Sequence, residues 1–342
     1  NYSTAFSESE GNKNFVSNQR NNRYQLGGAL QYHHQWQRFG RTKFSTAFSY
    51  LNSRQSNLIE FDDTALNPEK FAGFNEISNA VSEYYIKAEH RLPSTKLQSI
   101  SFALGFHFNQ SDFDQDSINR PFKNNRNSTF RITSYIKDRI NLGKYLSIEP
   151  GLKVDLSIGK VVRPFLQPRV NIQIKPHPLL RLKLAWGLYN QYVVEYAFVD
   201  NLDNRLFFWD VPDNLAKKAL RSMHSVAALS FGRKYINFKI EGYYKTTQNL
   251  TQFVEQPDSL KLVNLEGGVA RSYGIDTYVN TEFLGQKIWF AYSWAHSQER
   301  FGPAQQFQRA LHDQRHEFKV AGLFNWKPMY FSINYVFGSG LP

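Results

Sequence analysis

Leu146-Ser147-Ile148-Glu149-Pro150-Gly151-Leu152-Lys153-Val154-Asp155-Leu156-Ser157-Ile158 divides into two sets at a spacing of two. Leu146, Ile148, Pro150, Leu152, Val154, Leu156 and Ile158 form one set; Ser147, Glu149, Gly151, Lys153, Asp155 and Ser157 form the other. A helix would scatter both sets around its circumference, whereas a strand gives each its own face. Pro150 is the awkward member, because proline withdraws a donor from the ladder and is ordinarily confined to edges and bulges.

The next two segments repeat the pattern. Leu166, Pro168, Val170, Ile172 and Ile174 oppose Gln167, Arg169, Asn171, Gln173 and Lys175. Leu180, Leu182, Leu184, Trp186 and Leu188 oppose Arg181, Lys183, Ala185, Gly187 and Tyr189. Similar alternation marks 100–108, 130–136, 236–240, 288–294 and 329–337, with weaker versions over 24–36, 41–53, 78–91, 223–232, 269–283 and 315–326. The pattern predicts about fourteen strands, most of roughly 10–15 residues. A strand crossing a bilayer at about 45° needs roughly 9–11 residues, while soluble strands usually have about 5–6. Length therefore favours the membrane.

The links between these segments have a rhythm. Those at 37–40, 92–95, 141–144, 175–179, 232–234, 284–286 and 327–328 are tight, and between them fall the polar stretches 54–77, 111–127, 191–222, 249–268 and 300–314. Short turns on one rim and long loops on the other are the layout of an outer-membrane β-barrel. Aromatic side chains agree with it. Trp36, Phe39, Tyr145, Tyr235, Phe283, Trp326 and Tyr330 sit at the tight-turn ends, and Tyr50, Tyr189, Tyr192, Tyr244, Trp294 and Tyr335 sit towards the other. Two aromatic girdles are expected at the two interfaces.

Composition fits. Only 41% of the 342 residues are hydrophobic, and no run reaches the roughly 18 apolar residues of a spanning helix. A barrel keeps a low average hydropathy because lipid-facing and lumen-facing residues alternate. Aromatics reach 16%, with 29 Phe and 19 Tyr, and cysteine is absent, so no disulfide or cysteine metal site organises the fold. The net charge of +12 does not indicate nucleic acid, because the basic residues form no stripe or recognised motif. It indicates a cationic lumen, or a cationic surface facing anionic lipid or substrate. No signal peptide is present and residue 1 is Asn.

Bacterial single-chain barrels place both termini on the short-turn side. Here the order of links puts Gly338-Ser339-Gly340-Leu341-Pro342 on the long-loop side, while Tyr2, Thr4 and Phe6 alternate like the top of an earlier strand leading into a polar loop at 8–22. Residues 1–342 are therefore expected to form a single, all-β domain: an antiparallel up-and-down transmembrane barrel truncated at both ends. A closed 14-stranded pore is the alternative, and the positions of the ends argue against it.

Several stretches, in order, resemble the barrel of TonB-dependent outer-membrane receptors, especially the Bacteroidetes type. Arg163-Pro164-Phe165-Leu166-Gln167-Pro168-Arg169 followed by Trp186-Gly187-Leu188-Tyr189-Asn190-Gln191 resembles that family's strand ending in Gly-x-Tyr/Phe-x-Gln. Residues 219–228, with His224, resemble the segment that re-enters the barrel after a long loop. Arg271-Ser272-Tyr273-Gly274-Ile275-Asp276 resembles its G-x-E/D strand, His312-Asp313-Gln314-Arg315-His316 its D-x-R-H element, and the C-terminal Gly338–Pro342 its G-x-P loop start. The likeness is specific over roughly residues 145–342; residues 1–144 match in rhythm only. It implies a 22-stranded barrel of which about 14 strands are here, with the plug domain and TonB-contacting segment absent. The implied activity is uptake of a scarce solute (siderophore, haem, cobalamin, glycan or peptide) energised through TonB. The implied partners are the TonB complex, outer-membrane lipid, the solute and a surface lipoprotein, and the implied location is the outer membrane of a Gram-negative bacterium.

Within that frame, loop 191–222 is the best binding candidate. Tyr192, Tyr196, Phe198, Phe207, Phe208 and Trp209 cluster there with Arg205 and Asp210. Exposed aromatics are costly unless they bind something or pack, so they either contact solute or fold over the mouth on one another. Glu149, Lys153, Arg169 and Lys183 face the lumen, and by resemblance contact a plug. His312, Asp313 and His316 lack a third or fourth metal ligand nearby and read instead as a loop-to-strand junction held by Asp313 and Arg315. Asp112, Asp114 and Asp116 with Asn119 lack the glycine and terminal Glu of a calcium loop and read as a solvated acidic loop, with weak calcium binding left open. Ser293 and His296 differ by an odd number, which puts them on opposite faces and disfavours a nucleophile–base pair. Neither catalytic residues, a metal centre nor a cofactor are expected. Two other functions compete: a passive porin-like channel, with an open lumen that conducts without TonB, and a soluble β-rich carbohydrate-binding protein, against which the bands of Leu, Ile, Val and Phe argue.

Overall fold

A computed structural model of the chain describes residues 2–10, 13–63, 71–117, 122–158, 161–199, 205–212, 218–255, 263–302 and 306–341. The first half of the wall is β1 (Tyr2–Glu10), β2 (Lys13–Trp36), β3 (Gly40–Asp63), β4 (Phe71–Arg91), β5 (Gln98–Ser117), β6 (Phe122–Leu142), β7 (Leu146–Ile158), β8 (Val162–His177) and β9 (Leu180–Gln191). A small hairpin follows, β10 (Val194–Val199) and β11 (Arg205–Asp210). The wall resumes with β12 (Leu220–Arg233), β13 (Ile236–Glu255), β14 (Val263–Phe283), β15 (Gln286–Phe301), the two-residue β16 (Gln308–Arg309), β17 (His316–Trp326) and β18 (Met329–Gly338). The wall strands pair antiparallel in succession, with β9 joined directly to β12 across the inserted hairpin and β15 to both β16 and β17. Among the described residues β1 pairs only with β2 and β18 only with β17, so the barrel is open between these edges.

Fourteen of these strands have 10–24 residues, and they include every segment that alternates in the sequence. Several run longer than the periodicity suggests. Much of the polar stretches 8–22, 54–77, 111–127 and 249–268 is ladder rather than loop: Lys13–Trp36 pairs residue for residue with Gly40–Asp63, and Leu250–Glu255 with Val263–Gly268. Above the apolar band the sequence is largely polar at odd and even positions alike. The backbone still pairs, but no apolar–polar alternation records it.

The short-turn rim is built from close reversals. Gly40 and Gly143 sit at φ +98° and +69°, in the left-handed region that glycine enters without penalty. A Cβ on Gly40 would also collide with the Arg91 carbonyl. The link after β4 is less tight than its sequence suggests, spanning residues 92–97. The opposite rim has short links too: by the strand bounds, residues 11–12 separate β1 from β2, 118–121 separate β5 from β6 and 159–161 separate β7 from β8.

The two faces are inverted relative to a water-soluble protein. Phe102, Leu104, Phe106 and Phe108 of β5 are 46, 48, 42 and 38% exposed, whereas Ser101, Asn109 and Ser111 on the other face are buried. Leu30, Ile86, Ile136, Leu152, Leu166, Leu184 and Ile275 continue the exposed apolar face on neighbouring strands. Among the described residues the buried set holds 17 polar or charged residues against 11 apolar ones. A sheet that shows Leu and Phe outward and Ser, Asn and Asp inward is suited to lipid outside and water inside. The seven expected short-turn aromatics are all exposed, Phe39 and Tyr330 most of all. Tyr189 and Tyr192 leave the second girdle: Tyr189 lies under the Arg169 guanidinium and Tyr192 is buried against the inner wall.

Leu104→Arg, which puts a charge on the outer face, is expected to lower unfolding stability in lipid vesicles by about 2–4 kcal/mol. Gln173→Glu, which puts a charge on the inner face opposite Lys183, is expected to change it by less than about 1 kcal/mol. Urea titration of both variants checks the asymmetry.

Candidate functional site: an inward hairpin across the mouth

The link from β9 to β12 folds inward, and polar side chains of the wall hold it there. Tyr192 comes first. Its hydroxyl donates to Asp155 Oδ2 at 2.9 Å, the Arg131 guanidinium covers its ring at 4.0 Å, and Phe165 meets the ring edge-on at 5.5 Å. Asp155 is fully buried and also accepts from Thr133 (2.7 Å), Lys153 (2.9 Å) and Gln167 (2.6 Å). Four donors on one carboxylate make its burial affordable. Burial, together with the Asp155 charge, raises the Tyr192 phenol above its ordinary pKa, so it stays a donor.

β10 next runs parallel to the top of β13, through Ala197–Gln252 to Val199–Val254. That contact follows a register shift at Asn249, which sits at φ 64° and donates from Nδ2 to the Ala219 carbonyl at 2.9 Å. Asparagine is among the few residues with a side chain that enter this region readily. β11 returns along β4 and β5. Asn79 brackets Trp209 as another strand would: Nδ2 donates to the Trp209 carbonyl (2.8 Å) and Oδ1 accepts its N–H (2.7 Å). The Asp210 carboxylate accepts from Ser111 Oγ, from Asn127 Nδ2 (3.0 Å) and from the Val211 N–H (2.7 Å).

These anchors show how the wall bends. β4 and β13 are seven inter-strand steps apart, about 34 Å if the sheet were flat. A hairpin two strands wide touches both, so the sheet curls round it and the face with Asn79, Ser111 and Asp155 is concave. Within the hairpin Val194, Tyr196 and Phe208 form an apolar cluster with Phe113 and Leu220; the Phe113 and Phe208 ring centroids are 4.4 Å apart.

Of the expected binding residues, Tyr192, Tyr196 and Phe208 are therefore packed. Phe207 is 44% exposed and Trp209 half-buried, and they lie on the hairpin's other face, opposite Ala197 and the exposed Glu195. Arg205 begins β11, and its side chain lies outside the described residues. Sequence reasoning missed Glu195 and the wall anchors Asn79, Ser111 and Asp155. The three anchors are polar residues on the inner face of the wall, a placement that marks a face but not a partner.

A family model described as "TonB dependent receptor-like, beta-barrel" matches residues 1–340. The chain belongs to this family. Solved structures agree at the level of fold. The FrpB iron transporter from Neisseria meningitidis is 8% identical with a TM-score of 0.57, over 98% of this chain and 66% of that one. The RagAB peptide transporter is 10% identical at 0.56, over 95% and 47%. The FpvAI–pyocin S2 complex is 9% identical at 0.53, over 95% and 55%. The chain thus spans between about half and two thirds of the length of these relatives. No curated protein matches it at a significant level.

In this receptor barrel the expected lumen residues all lie on the concave face. Lys153 pairs with Asp155, Glu149 with Arg139 at 2.8 Å, and Arg169 stacks on Tyr189 at 4.4 Å. Lys183 makes no ion pair among the described residues and borders a hollow of about 780 Å³. The D-x-R-H element is the junction expected of it. Asp313, 1% exposed, accepts from the Ser297 N–H (2.7 Å), from Arg309 Nε (2.7 Å) and from Arg315 (3.0 Å). His316 Nδ1 lies 2.9 Å from the Tyr292 hydroxyl. Among the described residues no group of three or more potential ligands could hold a metal ion. Asp112 pairs with Arg126 at 3.3 Å; the Asp116 side chain and Asn119 lie outside the described residues. Ser293 pairs in register with Asp276, while His296 faces the other way against Tyr273, ring centroids 5.0 Å apart.

Burial alone would raise the Asp313 pKa, but the Arg309 and Ser297 hydrogen bonds and the Arg315 charge outweigh it and hold it below the ordinary value. A depressed folded-state pKa stabilises the junction above the unfolded-state value of about 3.9, and that stabilisation is lost as pH falls through the folded one. Exchange protection of the Ser297 amide is expected to fall on acidification in this window in the native protein, and to be low and nearly pH-independent in Asp313→Asn. Tyr192→Phe is expected to cost roughly 1.5–3 kcal/mol of local stability, the value of a hydrogen bond to a charged group. Faster amide exchange in β10 and β11 would register it.

Proposed function

We propose that the chain is the wall of an outer-membrane receptor that takes up a scarce solute with energy delivered through TonB, and that the inward hairpin is its solute-contacting element. The observation that carries this reading is the hairpin itself. It spans the concave face, buries Tyr196 and Phe208 as its foundation, and leaves Phe207, Trp209 and Glu195 free on the opposite side. Aromatic surface held rigidly at a mouth can capture solute at little entropic cost. On this reading the short turns lie in the periplasm and the long hairpins outside the cell. Lys153, Arg169, Lys183 and Glu149 then line the space that a plug fills and the solute crosses.

Siderophores, haem, cobalamin, glycans and peptides all remain within this proposal; among the relatives, one is described as an iron transporter and another as a peptide transporter. A surface lipoprotein partner would belong to the mouth side. The test is accumulation of labelled members of these classes by cells expressing the full-length protein, with and without TonB. One class is expected to accumulate only with TonB. Phe207→Ala with Trp209→Ala is expected to weaken binding of that solute by about tenfold or more, as loss of anchoring aromatics does. Accumulation that persists without TonB would instead identify a passive channel.

A further inference from the structure

The charge of +12 is not spread evenly over the concave face. Two adjoining hollows, of about 780 and 490 Å³, lie along β7–β9 and β12–β13 at the short-turn rim. Their combined lining carries eight Lys or Arg and two Glu. Both carboxylates are already engaged, Glu149 by Arg139 at 2.8 Å and Glu241 by Lys239 at 2.6 Å. Lys144 and Lys234 lie over the rings of Tyr145 and Tyr235. Lys175, Arg181, Lys183 and Arg233 have no ion pair among the described residues. Further carboxylates lie one strand on, at Asp276 opposite Glu241 and at Glu282, which pairs with Lys287 at 3.5 Å.

Register explains why this is a basin rather than a crowd of side chains. Across β9, β12 and β13, Lys183 is followed by Ala228 and Glu241, and Arg181 by Ser230 and Lys239. Small residues therefore form the middle of each row, with Ala185 and Val226 beside them, and the long cations rim the floor. Like charges gathered over a low-dielectric wall repel one another and focus a positive potential into the hollow. An incoming anion relieves that repulsion, and the Arg181 fork suits two oxygens of one phosphate or carboxylate group.

We infer that this basin is a binding site for small solutes carrying several clustered phosphate or carboxylate groups, held between Lys175, Arg181 and Lys183. The inference rests on the proposed role of the concave face as a solute path, and it narrows the solute to a polyanion. It also divides the path into two stations: an aromatic one at the mouth and a cationic one near the exit.

Titration calorimetry on the full-length protein in neutral detergent, with tripolyphosphate and citrate as probes and inositol as the uncharged control, tests it. Tripolyphosphate is expected to bind with a single-site isotherm that weakens steadily with added salt, because Lys and Arg are screened within a Debye length, and inositol is not expected to bind. Lys175→Gln with Arg181→Gln and Lys183→Gln is expected to lower the affinity at least tenfold. Lys43→Gln with Lys87→Gln, two inward cations elsewhere on the wall, is expected to change it less than twofold. All of these cations reach water, so the variants keep the fold, and unchanged urea unfolding checks it. No binding by the native protein, or equal loss in both variants, overturns the site. Its failure is separable from that of the transport reading, because the calorimetry involves neither TonB nor uptake.

Discussion

The constraint on which everything else depends is that a backbone crossing lipid has no water to satisfy its N–H and C=O groups. One ladder therefore runs through the wall from β1 to β18, with β9 joined to β12 and β15 to β17, and the chain leaves it at the rims. The inverted distribution of side chains follows. With backbone polarity settled by neighbouring strands, the outer face is free to be Leu, Ile and Phe, and the polar residues collect inside. Hairpins that rise past the apolar band keep the same pairing at little cost, which is why β2 and β3 reach 24 residues each.

The hairpin of β10 and β11 obeys the same rule away from the wall. Its strands pair with each other, its first strand borrows the edge of β13, and the Asn79 amide stands in for a missing neighbour beside Trp209. Where no strand is available, carboxylates serve: Asp155 gathers the entry through Tyr192 and Asp210 the exit through Ser111 and Asn127. A buried carboxylate with several donors is stable only as a complete set. The position of the mouth element is thus tied to the interior polarity of β4 to β8, and the apolar cluster of Val194, Tyr196 and Phe208 adds stability without choosing the place.

What could be read from the sequence follows from the same physics. The run 146–158 separates into two faces because lipid lies on one side and water on the other, and that contrast is the source of any period-two signal. Where the ladder continues into polar stretches, as in residues 54–63 or 250–255, strands form without an apolar–polar alternation, and they looked like loops. The aromatics of loop 191–222 were conspicuous, but whether a given ring packs or projects depends on which residues of β4, β5 and β7 meet it. Tyr192 turned inward because Asp155 lies 37 residues away in sequence yet at hydrogen-bonding distance. Asp313 was legible because its partners Arg309 and Arg315 are local. The sequence placed Lys175, Arg181 and Lys183 on polar faces, but the basin around them was not visible, since β8 and β9 had to be set in register with β12 and β13 before the small floor of Ala228 and Ser230 lay beside those cations.

The account stands on which face meets lipid. Residues 1–342 hold no cysteine, so single cysteines at each position from 101 to 108 can carry a fluorescent label in the full-length protein in vesicles, with any cysteine outside these residues replaced. Quenching by nitroxide on the lipid acyl chains is predicted to alternate, strong at 102, 104, 106 and 108 and weak at 101, 103, 105 and 107, with a soluble quencher giving the reverse. Uniform quenching along the segment, or alternation of the opposite phase, would contradict it.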